Sequence, residues 1–131
     1  MTGLDSNVLV RYFVKDDPAQ TPIAVRVIRD RTAADPGWIS IAVLVELLWV
    51  LTRTYKQKQA SIIQIIESLL ASDEIVIQQD EMVRKALDPY RNGRADFADC
   101  LISLVAQNAG CDRTVTFDRV AARDAGMELL G

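Results

Sequence analysis

The sequence predicts an α/β fold built on a mainly parallel sheet, and three observations predict it. Strand-like and helix-like segments alternate from end to end, with no repeat, low-complexity tract or linker between them. At 131 residues the chain is the size of one ordinary domain, residues 1–131, able to bury a core without a disulfide or zinc staple. Half of the residues are hydrophobic and a quarter charged, the composition of a globular protein rather than a disordered one. Strands separated by helices imply βαβ units and a sheet covered on both faces.

Taken in order, Gly3 and Leu4 lead into Asp5, and Asn7 to Val14 reads as a short strand running into a helical turn. Pro22 opens a helix through about Ala34, with Ile23, Val27 and Ile28 on one face. Pro36-Gly37 breaks it, and Trp38-Ile39 is a short strand. Ser40 caps a helix from Ile41 to about Tyr55. A second amphipathic helix, Lys58 to Ala71, carries Ile62, Ile65, Ile66, Leu69 and Leu70, an apolar surface for the core or for a partner. Ile75 to Ile77 is strand-like, Asp80 caps a helix to about Pro89, and Asn92-Gly93 turns the chain. Asp96 to Ala109 is a helix ended by Gly110. Val115 to Phe117 is a strand delivering Asp118; a short helix follows, and Met127 to Leu130 is the last strand.

The absences narrow the chemistry. There is no histidine, hence no imidazole base, no His-based triad and no zinc site of the common kind. Cys100 and Cys111 are too few for a four-ligand site and lack CxxC spacing; Cys100 reads as a buried thiol, and the pair fits a reducing cytosol. The opening Met-Thr-Gly-Leu-Asp lacks the features of a signal peptide, and the apolar stretch Ile39 to Leu51 is too short for a bilayer and contains Glu46. The expectation is a cytoplasmic protein with no membrane contact. Fifteen basic against eighteen acidic residues leave a net charge of −3, which excludes capture of nucleic acid by bulk charge.

The carboxylates carry the information. From Ile41 to Leu51 every residue except Glu46 is apolar, and its helical neighbours are Ala42, Val43, Trp49 and Val50. A carboxylate on such a face needs a cation, a metal or hydrogen-bond donors, unless that face is exposed. Asp5 and Asp118 each follow a short strand, where parallel sheets place their ligands, although either could be a helix cap. Asp96 and Asp99 project from one helical first turn, with Asp99 on the Ile102/Ala106 side facing the sheet. Carboxylates converging without His or Cys describe a site for a hard divalent cation, Mg²⁺ or Mn²⁺, suited to in-line hydrolysis of a phosphodiester.

Leu4-Asp5-Ser6-Asn7-Val8-Leu9, Val45-Glu46-Leu47, Ala95-Asp96-Phe97-Ala98-Asp99-Cys100-Leu101-Ile102 and Thr116-Phe117-Asp118 resemble, in order, the acidic motifs of PIN-domain ribonucleases, most of all VapC toxins of bacterial toxin–antitoxin pairs. The resemblance covers nearly the whole chain. It implies a three-layer α/β/α sandwich and a Mg²⁺- or Mn²⁺-dependent endoribonuclease, usually a dimer, acting on tRNA or ribosomal RNA and held in check by a VapB antitoxin. Asp5, Glu46 and Asp99 match the typical metal-binding acids, Asp118 the variable fourth, and Asp96 an additional one. Asn7 and Thr116 match polar residues that orient the acids or the attacking water, and Ser6 stands where Thr is common. Candidate RNA-backbone contacts are Arg53, Lys56 and Lys58, and the run Arg84, Lys85, Arg91 and Arg94 before Asp96; Arg119 is more simply a solvated side chain.

Two other phosphate enzymes fit less well. A haloacid-dehalogenase-type phosphatase needs a second Asp where Asn7 stands, and a receiver domain needs an acidic pair after the first strand, where Asp5 is alone. A catalytically degenerate PIN domain that only binds a partner is the non-enzymatic alternative.

Overall fold

The computed structural model describes residues 1–131, and the chain divides into two units, residues 1–78 and 79–131. In the first, the order is β1 (Thr2–Gly3), α1 (Ser6–Val14), α2 (Thr21–Arg29), β2 (Gly37–Ile39), α3 (Ile41–Arg53), α4 (Gln59–Ala71) and β3 (Ile75–Ile77). The strands pair in parallel in the order β1-β2-β3, with Gly3 beside Trp38 and Ile39 beside Ile77. Two further ladder bonds, Leu4 N–H to Trp38 O at 2.9 Å and Gln78 N–H to Ile39 O at 2.9 Å, carry the sheet just past its strands. The carboxyl ends of β1 and β2 therefore open directly into Asp5 and Ser40, the residues that start α1 and α3.

Residues 7–14 are helical, where a strand leading into a turn was expected. Val8, Val10 and Val14 give the segment strand-like composition, but Asp5 caps its N-terminus and Leu9 and Val10 are buried. Packing of that face against α2 and α3 outweighs the modest cost of β-branched residues in a helix. Helix α2 starts at Thr21 with Pro22 in its first turn and stops at Arg29, short of the expected Ala34. Ser40 caps α3 as expected, its hydroxyl accepting the Val43 N–H at 3.1 Å. Leu44, Leu47, Leu48 and Leu51 of α3 are buried with Leu9, Ile39, Ile62, Ile66 and Ile77. Each such side chain contributes about 1.5–3 kcal/mol by leaving water. Ile62, Ile66 and Leu69 spend one face of α4 on this core. Gly37 lets the neighbouring side chains close over the strand: a Cβ there would lie 2.7 Å from Leu4 Cδ1 and 3.0 Å from Ile75 Cδ1, so both tips would have to shift.

The second unit contains α5 (Asp80–Asn92), α6 (Phe97–Asn108), β4 (Val115–Thr116), α7 (Arg119–Asp124) and β5 (Glu128–Leu129). Strands β4 and β5 pair in parallel, Val115 beside Glu128 and Thr116 beside Leu129. The α/β class with parallel strands is thus as expected, and the strands are shared between two small sheets. Helix α5 runs through Pro89 to Asn92, beyond the stop expected at the proline, and its cap position is Gln79 rather than Asp80. The proline lies in the last turn, where only one helical bond, to the carbonyl of exposed Lys85, is given up. Helix α5 packs on α6, with the Tyr90 and Phe97 rings edge to face at 5.5 Å, over a core of Met82, Val83, Ala86, Cys100 and Leu101. No helix in either unit is long and apolar enough to cross a membrane.

Candidate active site

In the first unit the sheet edge and α3 bring two carboxylates to one hydroxyl. Asp5 leaves β1 in an extended conformation (φ −83°, ψ 158°) and occupies the cap position of α1, its Oδ1 accepting the Ser6 N–H at 2.7 Å. Ser6, the one buried polar residue of the chain, donates its hydroxyl to Glu46 Oε1 at 2.6 Å, with Asp5 Oδ1 3.4 Å away. A hydroxyl has one proton to give, so Glu46 receives the strong, charge-assisted bond and Asp5 lies beside it. A link between residues forty positions apart fixes the start of α1 against the second turn of α3. The outer oxygens, Asp5 Oδ2 and Glu46 Oε2, have no partner in these bonds.

Glu46 does not lie on a buried face. It is exposed together with Ala42 and Trp49, the latter 59% accessible, while Leu44, Leu47, Leu48 and Leu51 take the core. A helix this apolar disguises which stripe faces outward, since even its exposed side carries Ala42 and Trp49. Asn7 is exposed one residue beyond Ser6.

In the second unit, Asp96 is the cap residue of α6, yet its side chain makes no capping bond and its carboxylate is left uncommitted. Asp99, one turn on, is half-buried, and burial, reinforced by the charges of Asp96 and then Asp118, pushes its carboxyl above the usual carboxylate range. The neighbour expected to bury it, Ile102, is itself 51% exposed, so Asp99 sits at the rim of the unit rather than beneath a sheet. Asp118 is a working cap: its Oδ1 accepts Val120 N–H at 2.8 Å and Ala121 N–H at 3.0 Å. Thr116 steadies it, the Thr116 hydroxyl accepting the Asp118 N–H at 3.0 Å.

Every candidate donor is a carboxylate or hydroxyl oxygen, which fits a hard divalent cation. The thiol nearest in sequence, Cys100, is buried and pushed up to about 11, so it offers no thiolate ligand. The mutual repulsion around Asp99 is what a bound cation would relieve. In neither unit do three such groups close on a single point; each supplies a partial set.

Of the basic residues, Arg53 ends α3, and Lys56 and Lys58 follow it, all exposed and in none of the ion pairs. In the second unit Arg84 lies 3.7 Å from Asp80, Lys85, Arg91 and Arg94 are exposed, and the Arg94 N–H is bound to Asp124 Oδ2 at 2.9 Å. Arg119 is exposed. Asp124 is not marked out by the sequence; the only signal for it is an acid two positions before Gly126, which does not distinguish a tether from a solvated side chain. The bridging role of Ser6 is likewise invisible there, because its partner lies on another element.

Among known proteins, a VapC ribonuclease from Aquifex aeolicus (strain VF5) is 29% identical over 77 residues, covering 59% of this chain and 57% of the relative's length. The matched stretch thus spans little more than half of that relative. The crystal structure of Mycobacterium tuberculosis VapC20, described as a sarcin-ricin loop cleaving toxin, aligns over 99% of this chain and 98% of that one, at 16% identity and a TM-score of 0.47. The family model of the PIN domain matches residues 4–126, from the residue before Asp5 to the glycine after α7. With the match running over nearly its whole length, this chain belongs to the PIN-domain family.

Proposed function

We propose that the protein is a divalent-metal-dependent endoribonuclease of the VapC type. The observation that carries this reading is the Asp5–Ser6–Glu46 arrangement, two acids from separate elements held by one buried serine, Glu46 by its hydroxyl and Asp5 by its backbone N–H, each with one oxygen outside these bonds. Asp96, Asp99 and Asp118 are the further candidate acids, with Asp96 and Asp118 acting on Asp99, and the family match spans all five acids.

Asp5, Glu46 and Asp99 would hold Mg²⁺ or Mn²⁺, with Asp96 ahead of Asp118 as the next acid because Asp118 already spends one oxygen on its helix. The cation supplies Lewis-acid activation of water and neutralises charge on the phosphate. Ser6 fixes the Glu46 carboxylate, Thr116 fixes Asp118, and Asn7 lies within reach of the same end of β1 to orient water. Water adds in line to phosphorus and the bond to the 3′ oxygen breaks, leaving 5′-phosphate and 3′-hydroxyl ends. The substrate is a structured tRNA or ribosomal RNA, contacted along its backbone by Arg53, Lys56 and Lys58 and by Arg91 and Arg94. A VapB-type antitoxin as partner, a homodimer and a cytoplasmic location complete the reading, with the VapC relative as their support.

Purified protein incubated with total RNA should cleave it with Mg²⁺ or Mn²⁺ and stop in EDTA. Asp5→Asn should fold normally and be inactive. Cleavage persisting in EDTA, or undiminished in Asp5→Asn, would sink the assignment.

A further inference from the structure

Phe117 is the most exposed large hydrophobic side chain in the protein, 81% accessible, and it directly precedes Asp118. It lies in the bend directly after β4, whose exposed face carries Val115, 45% accessible, while Thr116 is half-buried. That face is not a broad apolar patch of the kind that binds another protein. The register sets Glu128 beside Val115, Glu128 is ion-paired to Arg113 at 2.7 Å, and beyond Phe117 come exposed Asp118 and Arg119. The ring is an aromatic island bordered by charge at both ends.

An isolated ring held in water beside a candidate metal-site acid, Asp118, and an arginine, Arg119, has the composition of a nucleobase platform. Every base presents a π-face, and of the bordering charges exposed Arg119 is the one that attracts its phosphate backbone. We infer that Phe117 is a stacking platform for an unpaired base next to the scissile phosphate of an RNA substrate. The inference rests on the nuclease reading above and adds to it a requirement that the substrate be unpaired at the site. Phe117 acts in binding and positioning, since the ring has no group that exchanges protons or coordinates a cation.

The test uses the full chain with a single-stranded RNA of roughly twelve nucleotides and the same sequence in a blunt duplex. Dissociation constants are measured in EDTA and steady-state constants with Mg²⁺. Phe117→Ala and Phe117→Leu should each raise Kd and KM for the single strand by about 5- to 100-fold, the range expected for loss of one stacked base. Phe117→Trp should restore both, and the preference of the wild type for single strand over duplex should shrink in the Ala and Leu variants. Because the ring is solvent-exposed, melting temperatures should match wild type, so a lost interaction is not mistaken for a lost fold. Unchanged Kd and KM in Phe117→Ala while the wild type cleaves would overturn this inference alone. So would full function in Phe117→Leu, or an effect confined to subunit association, which would make the ring a protein contact. A wild type that neither binds nor cleaves RNA with Mg²⁺ would overturn the nuclease reading and this inference together.

Discussion

Asp99→Asn separates what the acidic residues do for the fold from what they do for the site. Asp99 and Asp96 are three apart at the start of α6, and such like-charged pairs cost about 0.2–0.5 kcal/mol on a helix surface. Against that stands the attraction of Asp99 to the helix N-terminus, about 0.3–1 kcal/mol. Asp99 is half-buried and its ionised form is disfavoured by burial and by Asp96 and Asp118, so the two contributions nearly cancel. Asparagine keeps the shape and removes the charge. Without metal, the variant should therefore lie within about 0.5 kcal/mol of wild type, a melting shift of no more than about 2–3 °C for a chain of this size. With Mg²⁺ at about a hundredfold excess over its dissociation constant, the wild type should gain about 2.7 kcal/mol. That corresponds to about 8–13 °C, and the variant should lose most of it. Thermal melts of both proteins in EDTA and across a Mg²⁺ series read this without reference to catalysis. A variant that melts more than about 5 °C lower in EDTA would make the carboxylate a structural group, and one that keeps the whole Mg²⁺ shift would remove Asp99 from the metal site.

Three further outcomes follow from other parts of the structure. Replacing Arg53, Lys56 and Lys58 together by Gln should weaken RNA binding and flatten its dependence on salt, by a slope of up to about 0.7 for each phosphate of a single strand that is no longer neutralised; an unchanged slope would clear this surface of any role. In the native protein Cys111, exposed, should react with a thiol reagent at pH 8 while Cys100, buried and with its thiol pushed up to about 11, should not, and denaturant should release the second thiol. Gly93→Ala should destabilise by about 1–3 kcal/mol in chemical denaturation, because the new Cβ would lie 2.8 Å from Asp124 Cβ and 3.2 Å from the Pro89 carbonyl; a neutral effect would mean that α7 gives way freely.

The parts of the fold that were legible in the sequence are those where local chemistry and tertiary demand agree. Ser40 capping α3 and Gly110 in its left-handed turn (φ 102°) after α6 each rest on a residue whose own chemistry suits the local conformation. The segment 7–14 misled because its valines have the composition of a strand while its packing partners, on α2 and α3, lie far off in sequence. Glu46 misled for a related reason. Apolar content along α3 is so uniform that the outward stripe cannot be picked out until the core on its other side is known. The acids themselves could be found, since each ends an element or interrupts an apolar run. The hydroxyl that ties two of them together could not, because the Ser6–Glu46 bond spans forty residues.

The net charge of −3 gains its meaning only when divided along the chain. Residues 1–78 carry eight basic and nine acidic groups, and residues 79–131 carry seven and nine. Without Asp5 and Glu46 the first unit has one more cation than anion, and without Asp96, Asp99 and Asp118 so does the second. Each unit is therefore slightly basic apart from its candidate site acids. Much of that basic charge is neutralised locally, Arg31 on Asp35, Arg113 on Glu128 and Arg123 on Asp124, while Arg53, Lys56 and Lys58 are in no such pair. A surface of this kind attracts an anionic polymer weakly at long range and must hold it by short-range means. On the proposed function, a cation at the carboxylates and a stacked base at Phe117 would be two such means, and both would favour an RNA that presents a local unpaired feature over one that merely presents phosphate. Selectivity by shape rather than affinity by charge is the behaviour the proposed nuclease reading predicts for a chain that carries more acid than base.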